Sequence, residues 1–206
     1  MSFYDSQVLP RVLNLACGSK PIRRQREKVV PHAQGRVLEV GIGTGLNLPY
    51  YDPAKVTHVV GLDPEAGMLK RARRVAARLP FDVEHLQLKG EEIPLDADSV
   101  DTVLITYTLC TIPDVATALG GMRRVLKPGG RLLFCEHGRA PDAGVARWQD
   151  RINPYWRRVF GGCNLNRDVP ALLDRAGFRI DRLQTMYLPR TPRFAGFNYW
   201  GAATPA

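Results

Sequence analysis

Short apolar runs alternate with helical patterns through the middle of the chain. The apolar runs are rich in Val, Leu and Ile, which pack well on a pleated surface and are typical of buried strands. Amphipathic patterns between them predict helices over residues 65–79 and 116–126. Continuous apolar strands that alternate with helices indicate a parallel sheet covered on both faces. The runs cover residues 36–40, 56–63, 83–88, 100–106 and 131–136.

The pattern changes after the fifth run. Residues 139–168 hold two Trp, several Gly and Pro, and no clean period, which indicates a cap above the sheet. A helix is predicted over 169–178, and two more strand-like runs, 179–188 and 194–203, can pair as an antiparallel hairpin. The expected fold class is therefore α/β, with a doubly wound, mostly parallel seven-stranded sheet and an antiparallel C-terminal hairpin.

The hydropathy of the chain predicts no membrane segment, and the spacing of its cysteines predicts no metal site. No apolar run approaches the roughly 20 residues of a membrane span, and the first residues lack the pattern of a signal peptide, so we expect a cytoplasmic protein. The cysteines at 17, 110, 135 and 163 show no CxxC or CxxH spacing. We therefore assign no metal and no disulfide framework, and free thiols fit a reducing compartment.

The chain is strongly basic, with a formal charge of +9 and 23 arginines against 6 lysines. Charged residues on the outer faces of helices ordinarily serve solubility. The alternative is a weak association with an anionic membrane surface. No nucleic acid is expected as a partner, because no basic platform interleaved with aromatic residues stands in the pattern.

The first predicted strand ends in three glycines, in the stretch VLEVGIGTGLN. Gly41, Gly43 and Gly45 stand where the strand should pass into a helix. Ligands of open parallel sheets bind beyond the carboxyl ends of the strands, and glycine lets a ligand approach main-chain N–H groups. We expect this loop to face a ligand, since a tight turn alone needs one glycine.

The ligand is predicted to contain an adenosine without a diphosphate. The dinucleotide fingerprint GxGxxG would need a third glycine where Leu46 stands. Asp63 closes the second strand, 20 residues past Gly43, and an acid there accepts hydrogen bonds from both ribose hydroxyls. An adenine ring can lie between Met68 and the loop at Gly90. These features describe S-adenosylmethionine.

Four stretches of the chain resemble class I S-adenosylmethionine-dependent methyltransferases over roughly residues 35–137. Four further stretches resemble the small-molecule branch of that class that includes the thiol S-methyltransferases. The first four are VLEVGIGTGLN, VVGLDPEAGMLKRA, EEIPLDADSVDTVL and RRVLKPGGRLLF, and the other four are TLCTIPD, FCEHGRAPD, WQDRINPYW over 148–156 and GGCNLNRD.

The sequence predicts a single Rossmann-like domain, residues 1–206, in four parts. Residues 1–34, with predicted helical stretches around 6–16 and 22–30, are expected to fold over the site as an N-terminal helical lid. Residues 35–137 are the cofactor-binding core, 138–168 the cap on the substrate side, and 169–206 the C-terminal helix and hairpin. The oligomeric state is left open.

The resemblance also assigns residues to S-adenosylmethionine, whose demethylated product is S-adenosylhomocysteine. The glycine loop would contact the methionine part and the ribose, Asn47 would reach the cofactor carboxylate, and the Thr106 carbonyl would hold the amino group. Asp63 would bind the ribose, and Met68 would help to frame the adenine. The full set is Gly41, Ile42, Gly43, Asn47, Asp63, Pro64, Met68, Gly90, Glu91 and Thr106.

Methyl transfer to a small-molecule acceptor needs alignment, and a thiol acceptor also needs a base. His137, at the end of the fifth strand, is the candidate base, with a structural role as the alternative. The acceptor site is expected to be lined by Cys110, Trp148, Tyr155 and Trp156. A phospholipid or quinone acceptor, a non-catalytic nucleoside-binding protein and a nucleotide-dependent oxidoreductase are the other hypotheses, and Leu46 argues against the last.

Overall fold

A computed structural model of the chain describes residues 17–206. Seven strands form one sheet in the order β3-β2-β1-β4-β5-β7-β6. Strands β1 to β5 are parallel, whereas β7 runs antiparallel to both β5 and β6. The strands are β1 Gly35–Val40, β2 Val56–Leu62, β3 Asp82–Leu86, β4 Val100–Thr106, β5 Leu126–His137, β6 Phe178–Tyr187 and β7 Phe197–Pro205.

Helices lie between the strands, and two short 3-10 turns lie at Val30–His32 and Leu48–Tyr50. Within the described range, no helix combines the length and the apolar character that crossing a bilayer requires. The helices are α1 Lys20–Arg26, α2 Ala66–Ala76, α3 Val115–Val125, α4 Ala143–Val159, α5 Val169–Arg175 and α6 Arg193–Gly196.

Alternate residues of β1 enter the apolar layers on opposite faces of the sheet. Leu38 belongs to one buried cluster and Val37 to another, as the two-residue period of a strand requires. The strand order reverses between β1 and β4, which are hydrogen-bonded neighbours. The carboxyl ends of β1 and β4 therefore flank the position where an open α/β sheet binds its ligand.

The fold class predicted from the sequence is confirmed. All five predicted parallel strands form, and the two C-terminal runs pair as the predicted antiparallel hairpin. The predicted division into a lid, core, cap and C-terminal segment stays a prediction. Of the expected N-terminal helices, the stretch 6–16 lies outside the described residues, and the stretch 22–30 is replaced by α1 and a 3-10 turn.

Residues 139–168, for which the sequence shows no clean period, contain a long helix. Residues 143–159 form α4, with Pro154 inside the helix. Its buried face carries Ala146, Gln149 and Asn153. Two of these three inward residues are polar and a proline interrupts the stretch, which obscures the apolar period of the helix in the sequence.

The prediction of an α-helix directly after the glycine loop is wrong. A 3-10 turn at Leu48–Tyr50 follows the loop, and β2 begins soon after it. Pro49 lies within the turn and Pro53 follows it. Proline removes a backbone donor and clashes with the preceding turn, so a continuing α-helix would be broken here.

Gln149 fastens α4 to the sheet. Its side-chain oxygen accepts the N–H of Ala140 at 2.9 Å, and its Nε2 donates to the carbonyls of Gly138 at 3.0 Å, Leu165 at 3.0 Å and Phe194 at 2.9 Å. The side chain is buried. One polar residue therefore satisfies backbone groups from three segments, which explains its place on the inner face.

We expect Gln149→Ala to lower the free energy of unfolding by about 3 kcal/mol, because it leaves one buried N–H and several carbonyls without a partner. Denaturant unfolding followed by circular dichroism measures this. Arg147→Ala, an exposed change on the same helix, is the matched control and should stay within about 0.5 kcal/mol of the wild type. Equal effects of the two substitutions would contradict the assigned role.

Candidate active site

The glycine loop after β1 needs glycine for reasons that differ along it. Gly41, Gly43 and Gly45 all have positive φ, at 77°, 56° and 81°. A Cβ on Gly41 would lie 2.3 Å from Thr108 Oγ1, so the loop after β4 packs directly against it. A Cβ on Gly43 would meet only the Gly41 carbonyl, at 3.9 Å, among the described atoms. Gly43 therefore faces open space in which a ligand can approach the backbone.

Asp63 lies beside Gly43 at the carboxyl end of β2. Its Oδ2 accepts the Gly43 N–H at 3.0 Å, and its Oδ1 accepts the Glu65 N–H at 2.9 Å. Burial raises the pKa of this carboxyl, although the two N–H groups oppose the rise. The carboxylate keeps further lone pairs for hydroxyl donors, so it fits the predicted contact with a ribose.

The side chain of Ile42 lies in the core. It packs on Gly61 of β2, where a Cβ would lie 2.3 Å from Ile42 Cδ1. The N–H of Ile42 donates to the Leu62 carbonyl at 3.1 Å, and its carbonyl accepts the Gly45 N–H at 3.0 Å. The predicted contact of Ile42 with the cofactor stays a prediction.

Asn47 is buried in a polar network between β1 and β4. Its Nδ2 donates to Glu39 Oε1 at 2.8 Å and to Thr106 Oγ1 at 2.9 Å. Its Oδ1 accepts from Arg26 at 2.6 Å. The amide is thus occupied by protein groups, and its predicted contact with the cofactor carboxylate stays a prediction.

Arg26 reaches this network from α1 and is buried. The same guanidinium nitrogen that bonds Asn47 also donates to Thr106 Oγ1 at 2.6 Å. Arg26 Nε has no hydrogen-bond partner among residues 17–206. A buried cation with a free donor at the ends of β1 and β4 suits a carboxylate ligand. Helix α1 therefore lies at the ligand edge, while its movement as a lid stays a prediction.

Glu39 is the buried acid of the network. Besides Asn47, it accepts a hydrogen bond from Tyr51 Oη at 2.7 Å. Burial raises its pKa to about 7, and the hydrogen bonds and the charge of Arg26 limit the rise. The carboxyl group of Glu39 therefore holds its proton more strongly than an exposed glutamate does.

The residues predicted to frame the adenine lie on two loops. Met68 stands half-buried in the first turn of α2, and Pro64 is exposed just before that helix. Gly90 packs between Val40 and Ile112, where a Cβ would lie 3.2 and 3.0 Å from them. Glu91 Oε1 accepts the Asp114 N–H at 3.1 Å, so one of its oxygens ties two loops together. The adenine contacts stay predictions.

The loop after β4 is held by a buried carboxylate. Glu136 Oε1 accepts the N–H groups of Thr108 at 2.8 Å and Leu109 at 3.2 Å. Its Oε2 is buried without a hydrogen-bond partner in the described part of the chain. Burial raises the pKa of Glu136 to about 7. Tyr107 begins this loop in the left-handed region, with φ of 56°, a strained conformation common at functional sites.

Thr106, whose carbonyl the resemblance assigns to the cofactor amino group, ends β4 at this loop. That carbonyl accepts the Thr108 hydroxyl at 3.2 Å. A carbonyl oxygen has two lone pairs, so one remains for a ligand donor.

Two cysteines and a histidine meet beside this loop. Sγ of Cys110, Nε2 of His137 and Sγ of Cys163 all lie within 4.8 Å of one another. Cys163 Sγ is 3.3 Å from His137 Nε2. A hydrogen bond from the Cys110 thiol and the adjacent imidazole lower the pKa of Cys163, and burial only partly opposes them. Burial disfavours a charged His137, but the Cys163 thiolate outweighs it and raises the pKa of the imidazole.

The predicted base is therefore paired with a thiol of the protein. The structure brings His137 and Cys110 together, as their predicted position in one site requires, and adds Cys163. The role of His137 as a base stays a prediction.

Helix α4 divides the aromatic residues predicted to line the acceptor site. Trp156 lies on the inner face, stacks on Phe160 at 3.9 Å and acts on the pKa of Cys163. Trp148 and Tyr155 lie on the outer face and are 48% and 69% exposed. Trp156 borders the sulfur cluster. The predicted acceptor contacts of all three aromatic residues stay predictions.

Sequence reasoning missed Arg26, Glu39, Glu136 and Cys163. Glu39 and Glu136 were visible as single acids within apolar runs, which is the signal of a buried, hydrogen-bonded carboxylate. Arg26 carries no signal among so many arginines. Cys163 is 53 residues from Cys110 in the sequence, so spacing rules for local cysteine motifs cannot find the pair.

Comparison with known proteins agrees with this geometry. A family profile described as a methyltransferase domain matches residues 38–134. The human thiol S-methyltransferase TMT1A is 35% identical over 167 residues, a match that covers 77% of this chain and 66% of that protein. This chain thus spans just under two thirds of the length of that relative. The demethylmenaquinone methyltransferase of Clavibacter sepedonicus is 37% identical over 124 residues, covering 59% of this chain and 49% of that protein.

A solved structure shares the fold. The crystal structure of an S-adenosylmethionine-dependent methyltransferase from Thermotoga maritima superposes with a TM-score of 0.70 and 21% sequence identity. The match covers 98% of both chains. It supports the architecture of the sheet.

We expect Asp63→Ala to weaken binding of S-adenosylmethionine about tenfold to a hundredfold, because hydrogen bonds to a buried carboxylate contribute about 1.5–3 kcal/mol. Titration calorimetry measures the dissociation constant. Asp174→Ala, which removes an exposed acid on α5, is the control and should leave the affinity unchanged. Unaltered binding by the Asp63 variant would remove this residue from the site.

We expect Glu39 to make stability depend on pH. Its pKa is raised from 4.5 to about 7, so its stabilising contribution is fully present below about pH 4.5 and is lost as the pH rises through 7. The free energy of unfolding of the wild type, relative to Glu39→Gln, should therefore fall by about 3 kcal/mol between pH 4 and pH 8. Urea unfolding of both proteins at several pH values measures this, and a constant difference would contradict the raised pKa.

Proposed function

This chain belongs to the class I S-adenosylmethionine-dependent methyltransferases, and on that premise we propose that its methyl acceptor is a small-molecule thiol. Bound S-adenosylmethionine supplies an electrophilic methyl group on a sulfonium. The protein's part is to hold the cofactor, align the acceptor and take up the proton of the thiol.

The residues at the ligand edge suit the cofactor's chemistry. Asp63 holds the ribose hydroxyls beside the open face of Gly43. Arg26, with its free Nε donor, and the carbonyl of Thr106 suit the two charged groups of the methionine part. Buried polar atoms without a hydrogen-bond partner in residues 17–206 are rare and call for an explanation. For Arg26 Nε the explanation is a bond to the bound cofactor.

The observation that carries the thiol proposal is the free oxygen of Glu136 beside the cysteine cluster. A free thiol is only about 3% ionised at pH 7, so a proton acceptor near neutrality helps. Glu136 has a pKa of about 7 and lies close enough to Cys110 for its charge to raise the pKa of that thiol. In this arrangement Glu136 takes the role predicted for His137, which is engaged with Cys163.

The similarity to TMT1A, named a thiol S-methyltransferase, supports the same acceptor class. On this reading the apolar side of Trp156 and the loop after β4 exclude water around the acceptor sulfur.

A lipophilic acceptor, such as a quinone or phospholipid, is the second candidate. Its support is the outer face of α4, where Trp148 and Tyr155 are exposed between Arg147, Arg151 and Arg158. Aromatic and arginine side chains on one helix face are typical of helices that lie in a membrane interface. We propose that this face also gives the weak association with anionic membranes. The cytoplasmic location stays a prediction.

We expect radiolabelled methyl transfer to an alkyl thiol, and little transfer to phosphatidylethanolamine liposomes or a demethylated quinone. Glu136→Gln keeps an oxygen for the N–H groups of Thr108 and Leu109 but cannot take a proton. It should lower the turnover of thiol at pH 7 about thirtyfold, because only about 3% of a free thiol is ionised at that pH, and leave the affinity for S-adenosylmethionine unchanged.

Glu92→Gln, an exposed change in another loop, is the control and should match the wild type. Label in the liposomes or the quinone alone would overturn the thiol proposal in favour of the lipophilic acceptor.

A further inference from the structure

The sulfur–imidazole cluster is assembled from segments far apart in the sequence. Cys110 lies in the loop after β4, His137 ends β5, and Cys163 lies in the loop that follows α4. Their ligand atoms lie within 4.8 Å of one another. Among residues 17–206, no fourth histidine, cysteine or carboxylate atom joins them within that distance.

The cluster is held in place by hydrogen bonds that do not involve its own sulfur atoms. The backbone N–H and the Nδ2 of Asn164 both donate to the Cys110 carbonyl, at 2.9 and 2.8 Å. Asn153 Nδ2 donates to Asn164 Oδ1 at 3.3 Å, and Asn153 Oδ1 accepts the N–H of Leu165 at 2.8 Å. The loop of Cys163 is therefore fixed to the loop of Cys110, so the two thiols face each other whether or not a ligand is present.

We infer that Cys110, His137 and Cys163 bind a Zn²⁺ ion with one open coordination position, at which the acceptor sulfur binds as a thiolate. Two cysteines, one histidine and an open position are one of the ligand sets of catalytic zinc. In tetrahedral zinc, Zn–S and Zn–N bonds of about 2.3 and 2.1 Å place neighbouring ligand atoms about 3.5–3.8 Å apart. The distance of 3.3 Å between Cys163 Sγ and His137 Nε2 is close to this, so small side-chain movements complete the site.

Zn²⁺ would ionise the acceptor thiol more completely than a base alone, because a thiol that coordinates zinc is deprotonated. The acceptor R–SH releases its proton to solvent as R–S⁻ binds Zn²⁺. An electron pair of that sulfur then forms the S–CH₃ bond, while the bond from the methyl to the sulfonium breaks and its electrons stay on S-adenosylhomocysteine. The products are R–S–CH₃, S-adenosylhomocysteine and one proton. This step rests on the proposed thiol acceptor, whereas the metal site itself does not.

Cys17 is the residue that could occupy the fourth coordination position of the ion. It lies near enough for its electrostatic interaction with Cys163 and Cys110 to raise thiol pKa values. With Cys17 as a fourth ligand the ion would be structural and could not bind an acceptor. The fourth cysteine, Cys135, is buried in β5 beside Tyr107 and lies outside the cluster.

The test of the metal site uses the full chain purified under a phosphine reductant, equilibrated with Zn²⁺ and freed of excess metal. We expect about one Zn²⁺ per chain by plasma mass spectrometry, and thiolate-to-metal charge-transfer absorption when Co²⁺ replaces it. Cys110→Ser, His137→Ala and Cys163→Ser should each lose the absorption, whereas Cys135→Ala should keep it. Circular dichroism checks that each variant folds.

A measurement on the wild type avoids dependence on the variants. Bound Zn²⁺ should protect Cys110 and Cys163 from alkylation, as read by peptide mass spectrometry, and a chelator should restore their reactivity. No stoichiometric zinc in the wild type, or absorption retained in the three cluster variants, would overturn the metal site.

The open position is tested by adding an alkyl thiol to the Co²⁺ protein. We expect the absorption to change in the wild type and equally in Cys17→Ser. No spectral change in the wild type, together with loss of one thiolate contribution in Cys17→Ser, would show a closed site and overturn the open position.

Metal removal should lower thiol methylation at pH 7 about thirtyfold, since only about 3% of the free thiol is then ionised, and the loss should shrink as the pH rises. If the cobalt spectra are as expected but no thiol is methylated, the proposed acceptor fails and the metal site stands.

Discussion

Buried carboxylates at the carboxyl ends of the parallel strands organise the ligand edge of this sheet. Asp63 of the β2 end holds the glycine loop through the Gly43 N–H, and Glu136 of β5 holds the loop after β4. Glu39 of β1 holds Asn47 and Tyr51. Asp63 and Glu136 thereby supply acceptors to loop N–H groups, whereas Glu39 accepts from side chains. Burial raises the pKa of all three.

This arrangement ties cofactor and acceptor sites together. Gly41 packs against Thr108, and the Thr108 N–H is held by Glu136 next to His137. The glycine loop and the sulfur cluster are thus separated by one layer of the chain. A change in the conformation of the loop after β4 would therefore alter both the glycine loop and the sulfur cluster. This coupling suits an enzyme that must align two reactants to within fractions of an ångström.

The parts of the fold set by local chemistry could be predicted from the sequence. The apolar run at 100–106 predicts its strand without knowledge of distant contacts. Asp63 could likewise be placed at the ligand edge, because it directly follows such a run. The helix at 143–159 could not be found, because Gln149 and Asn153 occupy its inner face and make hydrogen bonds that only the assembled fold reveals. The meeting of Cys110, His137 and Cys163 likewise depends on the order of the strands, which brings distant residues to one edge. The contribution of Arg26 to the site could not be predicted either, because it depends on where α1 packs, and no sequence pattern determines that.

The place of β7 in the sheet has a consequence for the order of folding. β7 follows β6 in the sequence but lies between β5 and β6 in the sheet. β6 therefore reaches the sheet only through β7 and has no strand to pair with until β7 has formed. The two strands are thus expected to add to β5 together, as a late and cooperative unit of the assembly.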